Sequence, residues 1–508
     1  MPTKNSLITS AMSNWFSIAI GLITTFFITP YIIAQLGKSS YGVWVLVISL
    51  VGYASILDLG LHSATIRFIA YYSGKNDPTS LRQVINTSIT LFSIIGLIII
   101  FLALFLANPL SHFFQLPPEK IRAFKYLIWL VGLSSGISFP RRVFDAVLMG
   151  FEKFVRMNML DSSITLLRAL GLFSVIFLGG GLIALGLVEI AVEIINFSAK
   201  LLTIKLLKEC PKISFATIKF QVMKELVGFG VLMFLILIGD MLKYNIQTPV
   251  IGRLLDAESV AVYGLAAILL RTCQRLSSAL SVVTFPRLSL QLGHDRERFA
   301  ANFLRYARVI AVILAGMALI IVLEAKNFIQ LWVGQDFHLA STIVVVLAGS
   351  LSLDFISMVS VNALKALNRH HYFAIQTLLE GLAIAISTTL LVKKFGLIGA
   401  AWGTAIPILL TKLFIQPAYT SKIIGIELPN YLLAMFIRPA IPCGVVGSIF
   451  YFSGFVQSCS SFLNLIFQTA VIGCAYCVAV LLFCFNPEEW SALGLRIANG
   501  YEKLLVRK

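Results

Sequence analysis

The chain is built from apolar runs, each about as long as a bilayer is thick. The stretch "ITLFSIIGLIIIFLALFLAN", from Ile89 to Asn108, is one of many. An α-helix rises about 1.5 Å per residue, so about 20 such residues cross the roughly 30 Å of hydrocarbon. Inside hydrocarbon every backbone N–H and C=O must be bonded within the chain, and for runs of this length that means helix. Of 508 residues 58% are hydrophobic and only 12% are charged, too little polar surface for a soluble chain of this size. The expected class is an all-α integral membrane protein.

Cutting the sequence at its polar breaks predicts about 14 transmembrane helices. They fall at 8–34, 41–70, 83–107, 122–149, 154–178, 182–207, 222–251, 259–286, 302–323, 339–366, 372–392, 397–419, 430–452 and 460–484. The first run continues to about Ala34 with no small-residue cleavage site behind it, so it reads as a retained span rather than a signal peptide. Connections on the N-terminal side carry Lys75, Arg82, Lys153, Arg156 and a basic series that includes Lys200, Lys205, Lys208, Lys212, Lys219 and Lys224. The other side offers only Lys38, Lys120, Arg122, Arg253, Lys326, Lys393 and Lys394. That asymmetry predicts both termini in the cytoplasm of a multi-pass inner-membrane protein. The net charge of +17 is then a topology signal, and nucleic acid is not an expected partner. The seven cysteines imply neither a disulfide framework nor zinc, because Cys474 and Cys477 share one helix with no second pair. No metal or cofactor is expected. After the last span, residues 486–508 read as an amphipathic helix on the cytoplasmic surface, with Trp490, Leu493, Ile497 and Tyr501 at helical spacing.

A repeat organises the spans. Thr29-Pro30 and Tyr41-Gly42 recur as Thr248-Pro249 and Tyr263-Gly264. Gly74 matches Gly293, Asp161 matches Glu380, and "GLIALG" at Gly181 matches "GLIGAA" at Gly396, all at offsets of about 215–222 in the same order. This predicts two pseudo-symmetric six-helix bundles around a central cavity: a lobe at 1–207, a cytoplasmic linker at 208–221 and a second lobe at 222–420. Two additional helices at 421–485 and the tail follow. Units with an even number of spans face the same way, so the halves are related by an axis along the membrane normal with substrate sites between them.

Polar residues recur on the first two helices of each half: Ser10, Asn14 and Ser17; Ser55, Asp58, His62 and Thr65; Asp240, Lys243 and Gln247; Arg271, Arg275 and Ser278. An isolated charge at the bilayer centre costs about 2.5–3.5 kcal/mol on insertion scales. Asp58 therefore needs compensation, and a shared hydrated chamber is the expected source.

The stretch "LGKSSYGVWVLVISLVGYASILDLGLHSATIRFIA", with Gly42, Trp44, Tyr53, Asp58, Gly60 and Arg67, resembles the opening signature of Wzx-type polysaccharide flippases. These belong to the multidrug/oligosaccharidyl-lipid/polysaccharide exporter superfamily. The resemblance implies alternating-access transport of a polyprenyl-pyrophosphate-linked oligosaccharide repeat unit, from the cytoplasmic to the outer leaflet, for a cell-surface polysaccharide such as O-antigen. It implies no enzymatic activity.

For such a substrate the pyrophosphate asks for bidentate cations. Arg271 and Arg275, four residues apart on one face, are the expected anchors, with Lys243, Asp58, His62, Asp240 and Asn14 also lining the cavity. Internal pairing is the competing reading: Asp240 with Lys243 or Arg275, Asp161 with Arg168, and Arg141 and Arg142 with Asp145. Asp58, His62, Asp161, Arg168, Glu189, Asp354 and Glu380 are candidates for coupling to a proton or sodium ion or for gating. A monomer is expected, with other polysaccharide-assembly membrane proteins as conceivable neighbours. The alternative functions are a drug or cation antiporter of the same superfamily, which should line its chamber with carboxylates and aromatics, and a membrane enzyme. An enzyme would need a catalytic loop or a phosphate-binding motif, and the "GGG" at Gly179–Gly181 has no following Lys.

Overall fold

The computed structural model describes residues 4–207, 219–281, 288, 296–367, 369–456 and 459–484, so all of the linker expected at 208–221 except its last three residues, and the tail at 486–508, lie outside the described residues. Helices account for nearly all of what is described. They are α1 (Lys4–Gly52), α2 (Leu61–Gly74), α3 (Pro78–Phe113), α4 (Pro118–Gly150), α5 (Phe154–Phe177), α6 (Leu182–Lys205), α7 (Phe220–Asn245), α8 (Gln247–Leu254) and α9 (Ala257–Ser281). Then follow α10 (Arg296–Val333), α11 (His338–Ala366), α12 (His370–Leu410), α13 (Gln416–Ile424), α14 (Leu428–Leu432), α15 (Arg438–Phe452) and α16 (Phe462–Phe483). Among the described residues nine helical stretches are long and apolar enough to cross a bilayer.

Several boundaries follow local chemistry. Asp77 caps α3, accepting the N–H groups of Thr79 and Ser80, with Pro78 at its first position. α1 carries a break at Gly37 (φ 80°) and α12 another at Gly396 (φ 58°), each a backbone region open to glycine, so each long helix runs through one predicted span and into the next. The span predicted at 41–70 is not one continuous helix. It passes through a 3-10 turn at Tyr53–Asp58, then Leu59 (φ 51°) and Gly60 (φ 75°), before α2 begins. The span predicted at 222–251 is likewise divided, between α7 and α8. α5 and α6 are joined through Leu178–Gly181, with Gly179 at φ 80°.

By packing, the chain forms two compact units, Met1–Ala267 with His371–Thr404, and Ile268–His370 with Ala405–Lys508. The first has a core of Ile69, Ile85, Phe92, Phe139, Val143 and Val147. There α3 meets α4 at backbone distance: a Cβ on Gly96 would lie 2.4 Å from the Gly136 carbonyl oxygen. In lipid, helices gain little from burying apolar surface against each other, and small residues that permit close packing supply the association. The second unit is centred on Leu319, Val446, Ile472 and Tyr476, and the Tyr476 hydroxyl donates to the Val312 carbonyl at 2.7 Å. Large side chains such as Leu97, Phe101 and Phe105 on α3, and Ile386 and Leu390 on α12, are exposed. On a soluble protein such faces would be an anomaly; toward acyl chains they are the expected surface.

Candidate functional site

Asp58 sits at the helix break, and the break explains how its charge is accommodated. With Leu59 and Gly60 both at positive φ, the chain turns so that the start of α2 presents its free N–H groups to the residue just before it. The His62 backbone N–H donates to Asp58 Oδ1 at 3.0 Å, and Arg142 Nη1 donates to Asp58 Oδ2 at 2.7 Å. A helix start and a guanidinium thus neutralise the carboxylate. Asp58 is only 5% exposed, so protein groups, rather than the water of a chamber, compensate its charge. The Arg142 guanidinium also lies over the Phe139 ring, 4.2 Å from its centroid.

Successive helical positions are about 100° apart, so Arg141 serves a different network from Arg142. Its Nε donates to Glu193 Oε1 at 2.6 Å and its Nη1 to Asp145 Oδ2 at 2.7 Å. Lys200 Nζ donates to Asp161 Oδ1 at 2.7 Å and also to Asp145 Oδ1. This network draws on α4, α5 and α6 and holds three carboxylates against two cations, a formal charge of −1. Beside it Arg168 pairs with Glu189 at 2.6 Å. Arg168 and Asp161 are the open members, with side chains 45% and 40% exposed.

Lys243 and Glu380 form a third element, 2.6 Å apart and 4% and 1% exposed. Two glycines bring their helices together: a Cβ on Gly381 of α12 would lie 2.6 Å from the Gly239 carbonyl oxygen of α7. One turn further on, Gln247 Nε2 donates to Thr404 Oγ1 at 2.8 Å. In the second unit Lys412, within a π-turn at Thr411–Ile415, lies 3.2 Å from Asp354 and donates to Gln416 Oε1 at 2.9 Å. Such wide turns occur often at functional positions.

Some expected pairings are replaced and one is kept. Asp161 meets Lys200 rather than Arg168, Arg168 meets Glu189, and Arg142 meets Asp58 rather than Asp145, whereas Arg141 does meet Asp145; Lys243 meets Glu380. Asp58 and His62 meet through the His62 backbone. Lys200, counted above as a loop charge, is buried within α6 at 1% exposure. Arg271 and Arg275 are both exposed on α9, Asn14 is exposed on α1, and Asp240 is half-buried on α7. Sequence reasoning missed Glu193 and Lys412. The spacing Glu189, Glu193, Lys200 on one stripe of α6 held the signal for the first; nothing in the local sequence marks Lys412.

Residues 33–342 match the family model described as polysaccharide biosynthesis protein. A "Putative O-antigen transporter" of Shigella flexneri is 25% identical over 428 residues, covering 82% of this chain and 98% of that protein. Among solved structures, the lipid II flippase MurJ in an inward closed conformation matches with a TM-score of 0.74 at 16% identity, over 94% of this chain and 98% of that one. An inward-facing multidrug resistance MATE transporter of the MOP superfamily matches with a TM-score of 0.72 at 15% identity, over 82% and 98%. With the family model covering more than half of its length, the chain belongs to the polysaccharide biosynthesis protein family, and it carries the transporter fold of the MOP superfamily that its second span resembled.

Proposed function

We propose that the protein is a flippase that moves a polyprenyl-pyrophosphate-linked oligosaccharide repeat unit from the cytoplasmic to the outer leaflet of the inner membrane by alternating access, both termini being cytoplasmic. The observation that carries this reading is the set of charged networks retained within helices of membrane-spanning length in a chain of the polysaccharide biosynthesis family. Intramembrane charge is expensive and marks translocation pathways or their coupling sites. The pyrophosphate is assigned to Arg271 and Arg275, which lie four residues apart and exposed on α9 and can offer bidentate donors. Asn14 and Asp240 offer hydrogen bonds to the glycan. The network around Asp145, with its residual −1, is suited to a proton or sodium ion. Asp58, His62, Arg168, Glu189, Asp354 and Glu380 gate or tune it.

A drug or cation antiporter is the second reading, favoured by the likeness to the MATE transporter. Purified protein in vesicles that carry a defined lipid-linked oligosaccharide on the inner leaflet separates the two. Flipping exposes the glycan to an externally added lectin or glycosidase. Dye efflux under an ion gradient with no glycan exposure would overturn the flippase reading.

A further inference from the structure

Four acidic side chains are buried among the described residues: Asp58, Glu324, Asp354 and Glu380. Asp58, Asp354 and Glu380 each lie against an Arg or a Lys. Glu324, 4% exposed within the span α10, has no ion-pair partner among the described residues. Asn327 Nδ2 donates to its Oε2 at 2.9 Å, and its Oε1 accepts no hydrogen bond. An ionised carboxylate buried in this way is costly, and a neutral acid removes most of the cost. Asn327 turns its N–H, rather than its oxygen, toward the carboxyl. That suits an acid that gains and loses a proton better than a metal cation, whose ligands would be oxygens.

The charges that could answer Glu324 lie elsewhere. On α10 itself Lys326 is exposed, and Arg305 and Arg308 are at least 16 residues away, about 24 Å along the helix. α11, α15, α16 and the turns at Gln335–Phe337 and Leu433–Ile437 pack against α10. Asp336 and His338 are exposed at helix ends, Asp354 is held by Lys412, Lys365 lies in the last turn of α11, and Arg438 opens α15 at its far end. Cys443 and Tyr476 donate to the Ala315 and Val312 carbonyls, while Tyr451, Cys474 and Cys477 are exposed. The turn at Leu433–Ile437 brings no titratable side chain. What does approach is Cys459, in the connection between α15 and α16: burial, and then the Glu324 carboxylate, push its thiol up. Cys459 donates to Gln468 Oε1 at 2.9 Å, and beside it Asn464 Nδ2 donates to Ser460 Oγ at 3.3 Å, both of these residues being exposed. Polar groups therefore continue from Glu324 to the surface of that connection, all within one compact unit.

We propose that Glu324 is a proton-exchange site: its carboxyl takes one proton from water and returns it to water by way of the α15–α16 connection, so that transport responds to pH on the side poor in basic loop charges. The response of transport rests on the flippase reading given above; the proton site does not.

An apolar carbodiimide reacts with the protonated form of a carboxyl and leaves an N-acylurea whose mass marks the residue. In the purified full-length protein, modification of the Glu324 peptide is expected, absent in Glu324→Gln, equal in sodium and in potassium, and falling about tenfold per pH unit once the group ionises. No modification of Glu324 at any pH overturns the proton site, and protection by sodium at constant pH overturns it in favour of a metal cation. In vesicles, Glu324→Gln, which keeps the size of the side chain and an acceptor for Asn327, is expected to remove the dependence of glycan exposure on external pH, and Lys326→Gln to leave that dependence unchanged. A parent that ignores external pH, or a Glu324→Gln variant that still follows it, overturns the coupling. If Glu324→Gln does not accumulate in the membrane, carbodiimide modification of the parent decides. If the parent moves no glycan, the flippase reading fails, while the modification still decides the proton site.

Discussion

The pair Lys243–Glu380 gives the sharpest quantitative expectation. At 2.6 Å and an effective dielectric constant of about 20, the direct attraction is about 6 kcal/mol. Removing two charges from water offsets most of that, so the intact pair contributes little net stability, whereas deleting one partner strands the other and costs about 3–5 kcal/mol. Both residues are almost completely buried, and the glycine contact between α7 and α12 leaves little freedom for the stranded group to reach water. Lys243→Met and Glu380→Leu are therefore each expected to lower the stability of the detergent-solubilised protein by that amount. The double variant should return to within about 1–2 kcal/mol of the parent. The assay is the fraction remaining monodisperse after heating, backed by denaturant titration. Simple additivity of the two losses would refute the reasoning. Full stability of Lys243→Met with loss of transport would instead return Lys243 to the substrate.

Asp58→Asn keeps an acceptor for the His62 N–H but strands Arg142, and a thermal-shift series should show a loss of about 1–3 kcal/mol, with Asp58→Ala about 1 kcal/mol worse. Gly60→Ala forces a side chain into left-handed backbone (φ 75°) and should cost about 1–2 kcal/mol in the same assay. Lys200→Met leaves the carboxylates of Asp145 and Asp161 without their shared cation, so membrane abundance should fall and Asp161→Asn in the same chain should partly restore it. Arg271→Gln with Arg275→Gln should abolish glycan exposure in vesicles at normal abundance, and Lys at both positions should rescue only in part, since the charge remains but the bidentate fork is lost.

Helix positions were legible because hydrocarbon leaves a long apolar run few alternatives: α3 through α6 lie within a few residues of the expected spans. The break at Asp58–Gly60 was written in the sequence as an acidic residue two before a glycine, but hydropathy averages over a window and smooths such a break away. Intramembrane charges could be listed from sequence, whereas their partners could not. Arg142 and Asp58 are 84 positions apart and Lys243 and Glu380 are 137 apart, so only tertiary packing decides who meets whom. Lys200 shows the opposite hazard. A basic residue near a helix end looks like a loop charge until a carboxylate from a neighbouring helix takes it inside.

The single-residue turn at Gly396 marks a length difference between the two copies of the expected sequence repeat. Asp161 and Glu380 are separated by 219 positions, but Gly181 and Gly396 by only 215, so four residues distinguish the two copies between those landmarks. The first half spends its longer connection on Leu178–Gly181; the second turns on one glycine. Four residues are close to one helical turn of 3.6, so a length change of that size alters reach while preserving which helix faces meet their neighbours. For protein engineering the two corners are consequently unequal. An epitope tag grafted at the Leu178–Gly181 corner enters a connection of several residues, whereas the same graft at Gly396 enters a single-residue turn between two helical stretches.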